Sequence, residues 1–207
     1  MDSFGRLLQH YPCPEQFLHE AGFKLIAGVD EVGRGPLAGP VVAAAVILPH
    51  HWHHPEIKDS KQLSASQRER LFHDITRHAV TWGWSLCDAG DIDRSNILAA
   101  TLCAMRKAIT QLDPSPDYVI VDGPHAIPTS VQQTPIVRGD QKSPLIAAAS
   151  IIAKVVRDAI MQKYHVLFPQ YNFARNKGYG TREHRDALAR YGYCPIHRTT
   201  FRNVAAR

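Results

Sequence analysis

The chain has 207 residues, 44% hydrophobic and 21% charged, the size and balance of one globular domain with an appendage. Its longest apolar run, Val41 to Leu48, is far short of the roughly 20 residues of a membrane span, and its first residues lack a secretory signal, so a cytoplasmic protein that does not engage membranes is expected. The net charge of +5 favours polyanion partners, and it is concentrated: residues 175–207 hold eight Lys and Arg against two acids, while residues 1–174 hold sixteen against seventeen.

In chain order, residues 23–31 and 40–48 read as strands. The second is apolar throughout, as for a strand buried on both faces. The link from Val32 to Gly39 is short and holds three glycines, which predicts a hairpin. The following His50-His51-Trp52-His53-His54 has the composition of a transition-metal site. The stretch lies between Pro49 and Pro55 with no acid or thiol at helical spacing, so a solvent-exposed loop is the preferred reading. Ser64 to His78 has helical periodicity and a capping-box pattern, Ser64 with Gln67. Residues 79–87 read as a strand and Ser95 to Leu112 as a helix with Ile97, Leu98, Leu102, Met105 and Ile109 on one face. Tyr118 to Val121 is a short buried strand running into Asp122-Gly123-Pro124, and Pro135 to Val137 another, ending at Gly139-Asp140. Ser143-Pro144 opens a long helix to about Phe168, with a small-residue run at Ala147 to Ser150 suited to close packing on a sheet. A last helix spans about Thr181 to Tyr191. Strands followed by alternating helix and strand, then helices, predict an α/β core with a mixed sheet. Cys13, Cys87, Cys103 and Cys194 show no C-x-x-C spacing, so reduced thiols are expected rather than zinc or disulfides.

Three apolar segments end in acids: Asp30-Glu31, Asp122 and Asp140. Open α/β sheets place functional residues at strand ends. If these ends are neighbours, the carboxylates repel unless a cation lies among them. Oxygen-only ligation points to Mg²⁺ or Mn²⁺ rather than zinc. Consecutive strand residues face opposite ways, so Asp30 and Glu31 share a site only if the strand ends or twists there, or if Glu31 reaches in from the side. Taken singly, each acid has a plainer reading: Asp122 capping a turn, Asp140 satisfying the next helix N-terminus, and Asp158, beside Arg157, a solvated or paired surface charge. The basic C-terminal segment reads either as a solvated tail or as a nucleic-acid surface. Tyr179, Tyr191, Tyr193 and Phe201 among its cations favour the second.

The run from Gly28-Val29-Asp30-Glu31-Val32-Gly33-Arg34-Gly35 to Pro40-Val41 resembles the N-terminal signature of bacterial ribonuclease HII. So do Asp59-Ser60-Lys61-Gln62-Leu63, Val121-Asp122-Gly123, Gly139-Asp140 with Ala147 to Val155, Lys177-Gly178-Tyr179-Gly180-Thr181, and His197-Arg198. The match is in order and covers nearly the whole chain. The resemblance implies a ribonuclease H-like fold, with a mixed central sheet flanked by helices. Residues 1–174 would be the catalytic core, and 175–207 a basic helical region packed on it that contributes to nucleic-acid binding. It implies an endonuclease that acts on RNA/DNA hybrids and cuts 5′ of ribonucleotides embedded in duplex DNA. Asp30, Glu31, Asp122 and Asp140 correspond to the four acids of its metal site, with Mn²⁺ or Mg²⁺ as cofactor. Gly33, Arg34 and Gly35 correspond to the element sensing the ribose 2′-OH, Tyr179 to a tyrosine at the RNA-to-DNA junction, and Ser60 and Lys61 to phosphate contacts. Two ions about 4 Å apart would then serve an in-line hydrolysis leaving a 3′-OH and a 5′-phosphate, in a protein expected to be monomeric. The competing readings are another metal nuclease with acids at strand ends, of the junction-resolvase or integrase type, and a non-enzymatic nucleic-acid-binding module.

Overall fold

The computed structural model describes residues 3–57 and 63–204. Helices α1 (Ser3–His10) and α2 (Pro14–Glu20) precede strands β1 (Ile26–Val32) and β2 (Val41–Ile47). There follow α3 (Ala65–His78), β3 (Thr81–Cys87), α4 (Ala89–Arg94), α5 (Ile97–Ile109), β4 (Tyr118–Asp122) and β5 (Gln132–Ile136). The chain continues through α6 (Pro144–Leu167), α7 (Phe173–Asn176) and α8 (Arg182–Tyr191). The sheet order is β3-β2-β1-β4-β5. Strand β1 is antiparallel to β2 and parallel to β4, and β4 is parallel to β5. This is the mixed sheet expected of a ribonuclease H-like α/β fold.

The two faces of the sheet are covered by different helices. Ile26, Val42, Ala44, Val46 and Ile120 pack with α6 and α3, and Val29, Ala43, Ala45, Val119 and Val121 pack with α5. Strand alternation sorts these residues, and both faces being dry explains the unbroken apolar run of β2.

Helix α6 lies unusually close to β1. Ser143 caps it by accepting from the Ile146 N–H, and Pro144 occupies its first turn. Glu15 of α2 also accepts from the Leu145 N–H at 3.1 Å and from the Ser143 hydroxyl, placing a carboxylate on the positive end of the helix. The close approach depends on Gly28, where a Cβ would come 2.3 Å from the Leu145 carbonyl carbon and 2.7 Å from the Ile146 nitrogen.

The capping box at Ser64 and Gln67 is formed, and Asp158 pairs with Lys154 at 2.6 Å. Other boundaries moved for local reasons. Strand β1 starts at Ile26 because the Asp117 carboxylate takes the N–H groups of Lys24 and Leu25. Strand β5 extends back to Gln132 and keeps Pro135 within it, which an edge strand tolerates. Helices α1, α2, α4 and α7 were not expected; the first two cover one end of the sheet through Phe4, Leu8, Phe17 and Leu18. The histidine-rich loop is anchored by Trp52, which packs on the core beside His78. His50, His51 and His53 line a cleft of about 480 Å³.

Gly28→Ala should force α6 off the sheet and cost about 1–3 kcal/mol. Urea unfolding checks this, and an unchanged midpoint would contradict the close packing.

Candidate active site

Val29 of β1 is the cross-strand partner of Val121 on β4. The next residues, Asp30 and Asp122, therefore emerge side by side on the face that α6 covers. Asp30 is 5% exposed. Its carboxylate accepts the Glu31 N–H at 2.7 Å and is hydrogen-bonded to Ser150 of α6. Strand β1 does not end at Glu31, since Glu31 and Val32 remain paired with Ala43 and Val42. Instead β4 stops at Asp122 and turns at Gly123, with φ +92°, leaving the β4 side of β1 open beyond that point. One carboxylate oxygen each from Asp30, Glu31 and Asp122 lies within 4.8 Å of the others, and no other such group of His, Cys, Asp or Glu occurs among the described residues.

Asp140 is placed differently. It is buried on a single 3-10 turn, Gly139–Gln141, after Arg138 in the left-handed region. Asp122 accepts the Gly139 N–H at 2.7 Å, with the Asp140 N–H 3.4 Å away. The four acids thus resolve into a compact trio and a neighbour outside the 4.8 Å group.

Burial raises the Asp30 carboxyl well above its ordinary 3.8, and the charges of Glu31 and Asp122 raise it further. Glu31 is also raised, again chiefly by burial; Arg34, 3.3 Å away, offsets part of this. All the gathered donors are carboxylate oxygens, the chemistry of a hard divalent cation.

The loop after β1 is held by the C-terminal segment. Leu37 N–H donates to Gly178, Gly39 N–H to Ile196, and Ala38 bridges to His197. Gly33 has φ +97°, and Gly178, at φ +84°, has no room for a Cβ, which would come 2.3 Å from the Ala38 carbonyl oxygen. Tyr179 is 45% exposed, its ring 3.8 Å from where a Gly35 Cβ would be. Ser60 and Lys61 lie outside the described residues.

Two arginines that the sequence reading gave no site role complete the loop. Arg157 and Arg198 are fully buried. Arg157 donates to the carbonyls of Pro40, Ala38 and Lys177. Arg198 donates to those of Gly33, Arg34 and Gly39. Arg198 is therefore not one of the surface cations its basic segment suggested. A signal for Arg157 was present, since it falls on one α6 stripe with Ser150, Ala153 and Met161.

A buried histidine pair fixes the adjoining turn. His184 Nδ1 lies 2.9 Å from the Tyr179 carbonyl, the two Nε2 atoms 3.0 Å apart, and His197 Nδ1 2.9 Å from the Cys194 N–H. A carbonyl only accepts and an amide only donates, so one tautomer of each ring satisfies the chain: His197 donates to His184, which donates to Tyr179. Burial lowers both pKa values, that of His197 to about 4, and both rings are neutral at physiological pH.

A carboxyl that binds its proton more tightly when folded loses stability as pH rises from about 3.8 through its folded value. In EDTA at pH 7, Asp30→Asn should therefore melt higher than the parent by about 3 °C or more, and the difference should shrink toward pH 4. Thermal melts at the two pH values check this; a lower melting point at pH 7 would contradict the strained cluster.

A family model for ribonuclease HII matches residues 27–204. A ribonuclease HII of Syntrophus aciditrophicus (strain SB) is 57% identical over 188 residues, covering 91% of this chain and 89% of that protein. Another, of Caldanaerobacter subterraneus subsp. tengcongensis, is 55% identical over 187 residues, covering 90% and 78%. The solved ribonuclease H2 of Pyrococcus horikoshii OT3 aligns at a TM-score of 0.75 and 26% identity, covering 86% of this chain and 94% of that one. With the fold, the acid trio and relatives of this extent in agreement, the chain belongs to the ribonuclease HII family and is a hydrolase, an endoribonuclease H of type HII.

Proposed function

We propose that the chain hydrolyses the RNA strand of RNA/DNA hybrids and cuts 5′ of ribonucleotides embedded in duplex DNA, leaving a 3′-OH and a 5′-phosphate. Asp30, Glu31 and Asp122 would hold Mg²⁺ or Mn²⁺, joined by Asp140 from its place beside Asp122. The observation that carries this is the convergence of three carboxylates within 4.8 Å, one buried and two half-buried. Such a group is costly when ionised and suits an oxygen-seeking cation. Bound there, divalent cations supply positive charge for the scissile phosphate and the departing oxygen and ease deprotonation of water.

The chain's own residues supply position and selection. Asp30 is locked by the Glu31 N–H and Ser150, and Asp122 by the Gly139 N–H. Discrimination requires reading the 2′-OH, the group that separates ribose from deoxyribose. The Gly33-Arg34-Gly35 turn begins two residues past Glu31, and at Gly35 its backbone is bare of a side chain. Tyr179, beside Gly35, would contact the nucleic acid at the RNA-to-DNA junction. Arg175, Arg182, Arg185 and Arg190 are exposed, as are Tyr191 and Tyr193, and the cations would follow the duplex backbone. The C-terminal segment from residue 175 to residue 204 would serve both as a nucleic-acid surface and as support for the core. Ser60 and Lys61 are proposed as phosphate contacts on the family resemblance, and a cytoplasmic monomer is the simplest working form.

One gel tests the reading: a duplex with a single ribonucleotide, its all-DNA twin and an RNA/DNA hybrid, each with Mg²⁺, Mn²⁺ or EDTA. Cutting should require both a ribonucleotide and a metal, and Asp30→Asn or Asp122→Asn should lower it at least about a hundredfold. Equal cleavage of the all-DNA twin, or activity in EDTA, would refute it.

Tyr179→Ala should slow cutting at single ribonucleotides about tenfold, in line with the value of one stacking contact. Tyr179→Phe separates ring from hydroxyl, and normal rates on the single-ribonucleotide duplex with the alanine variant would remove Tyr179 from the site.

A further inference from the structure

Gly33 sits between two buried guanidinium groups. A Cβ on it would meet Arg157 Nε at 2.2 Å, and its carbonyl accepts from Arg198 Nη2 at 2.5 Å. The next carbonyl, that of Arg34, accepts from Arg198 Nη1 at 2.8 Å. One guanidinium fork thus holds two consecutive carbonyls, while its Nε and Nη2 hold Gly39 at 3.0 and 2.8 Å. Arg157 adds the carbonyls of Ala38 and Pro40. Of the seven hydrogen bonds these two side chains make among the described residues, six end on the 33–40 loop. Neither arginine has a carboxylate within ion-pair distance there.

Burying a cation without an anion is costly, and apolar side chains hold a loop in place more cheaply. What the fork adds is orientation. In a trans peptide the N–H points opposite the C=O, and the one cis bond of the described chain is elsewhere, at Asp113-Pro114. With the Gly33 and Arg34 carbonyls drawn inward, the N–H groups of Arg34 and Gly35 must face away from Arg198. Among the described residues neither N–H has a hydrogen-bond acceptor, and both residues are exposed.

We infer that Arg198, supported by Arg157, is a positioning residue: it fixes the peptide planes of the Gly33–Gly35 turn so that two adjacent amides face outward as donors for an oxygen of the ribonucleotide. The inference rests on the proposed reading in which this turn meets the ribose. Lysine cannot reproduce the fork, because its three donors radiate from a single nitrogen and do not match the fixed planar spacing that holds the Gly33, Arg34 and Gly39 carbonyls together.

The test is Arg198→Lys in the full chain, with binding measured in EDTA, where no cutting is expected. The affinity ratio between the single-ribonucleotide duplex and its all-DNA twin should fall tenfold or more. Affinity for the all-DNA twin, and Mn²⁺ binding measured by calorimetry, should stay within twofold. General damage to the fold would instead weaken both duplexes together. A retained ratio overturns the inference and leaves the proposed function standing, and so does a parent protein with no binding preference for the ribonucleotide, since the function is decided by cleavage. Should Arg198→Lys not fold, amide shifts in the parent decide. The Arg34 and Gly35 N–H resonances should move on adding the ribonucleotide duplex and not its twin, and if they are unmoved the inference falls.

Discussion

Mutual repulsion among Asp30, Glu31 and Asp122 is the constraint around which the surrounding structure is arranged. Carboxylates this close relax apart unless each is fixed. Asp30 is on the central strand of the sheet, with neighbours on both sides, and is covered by α6. Asp122 is tied to the chain that follows β5 through the Gly139 N–H. The cover over Asp30 exists because Gly28 lets the helix backbone rest on β1. A glycine two residues before the acid therefore sets the depth at which the acid sits. Burial is the largest cause of the raised proton affinity of Asp30 and Glu31, so packing and site chemistry are a single design problem here.

Charge of the opposite sign is organised just beyond. From Glu31 to Gly33 the chain passes from the carboxylates to the paired guanidinium groups within two residues. The next two peptide units follow that polarity, with the Gly33 and Arg34 carbonyls toward Arg198. Burial lowers the proton affinity of both guanidinium groups, that of Arg198 to about 9 with the charge of Arg157 adding to the effect, and both stay charged at neutral pH. The turn is thus held by strong, directional, charge-assisted bonds rather than by the contacts of exposed side chains, which leaves its outer surface bare.

The acids were legible because strand ends are where a sheet presents function, and because an aspartate closing an apolar run breaks the pattern. Register did the rest: once β1 and β4 pair in parallel, Asp30 and Asp122 are adjacent. Glu31 was harder, since alternation argues against it. What admits it is the early end of β4, which no pattern within β1 encodes. Asp140 sits within a three-residue turn whose direction depends on Arg138 adopting φ +56°, a conformation with no sequence marker there. Arg198 was misplaced because a cation in a basic segment reads as surface, and only coordinates show that its partners are carbonyls far away in sequence. Arg157 carried a clue in its helical stripe, which its charge masked.

The basic C-terminal excess therefore has two physical origins. Arg175, Arg182, Arg185 and Arg190 face solvent, while Arg198 lies inside, with Phe201 5.0 Å from its guanidinium carbon. The same segment supplies Ile196 and Gly178 as acceptors for the loop amides, and the neutral His197–His184 chain that ends on the Tyr179 carbonyl. Ala38, Met161, Tyr171, Phe173, Leu188 and Ile196 form one apolar cluster across both parts of the chain. Cutting the chain at residue 175 would divide that cluster and remove the acceptors on which the turn hangs. The segment with the highest positive charge is thus also the wall against which the turn beside the acids is built, so its interior cannot drift in sequence as freely as its charged exterior.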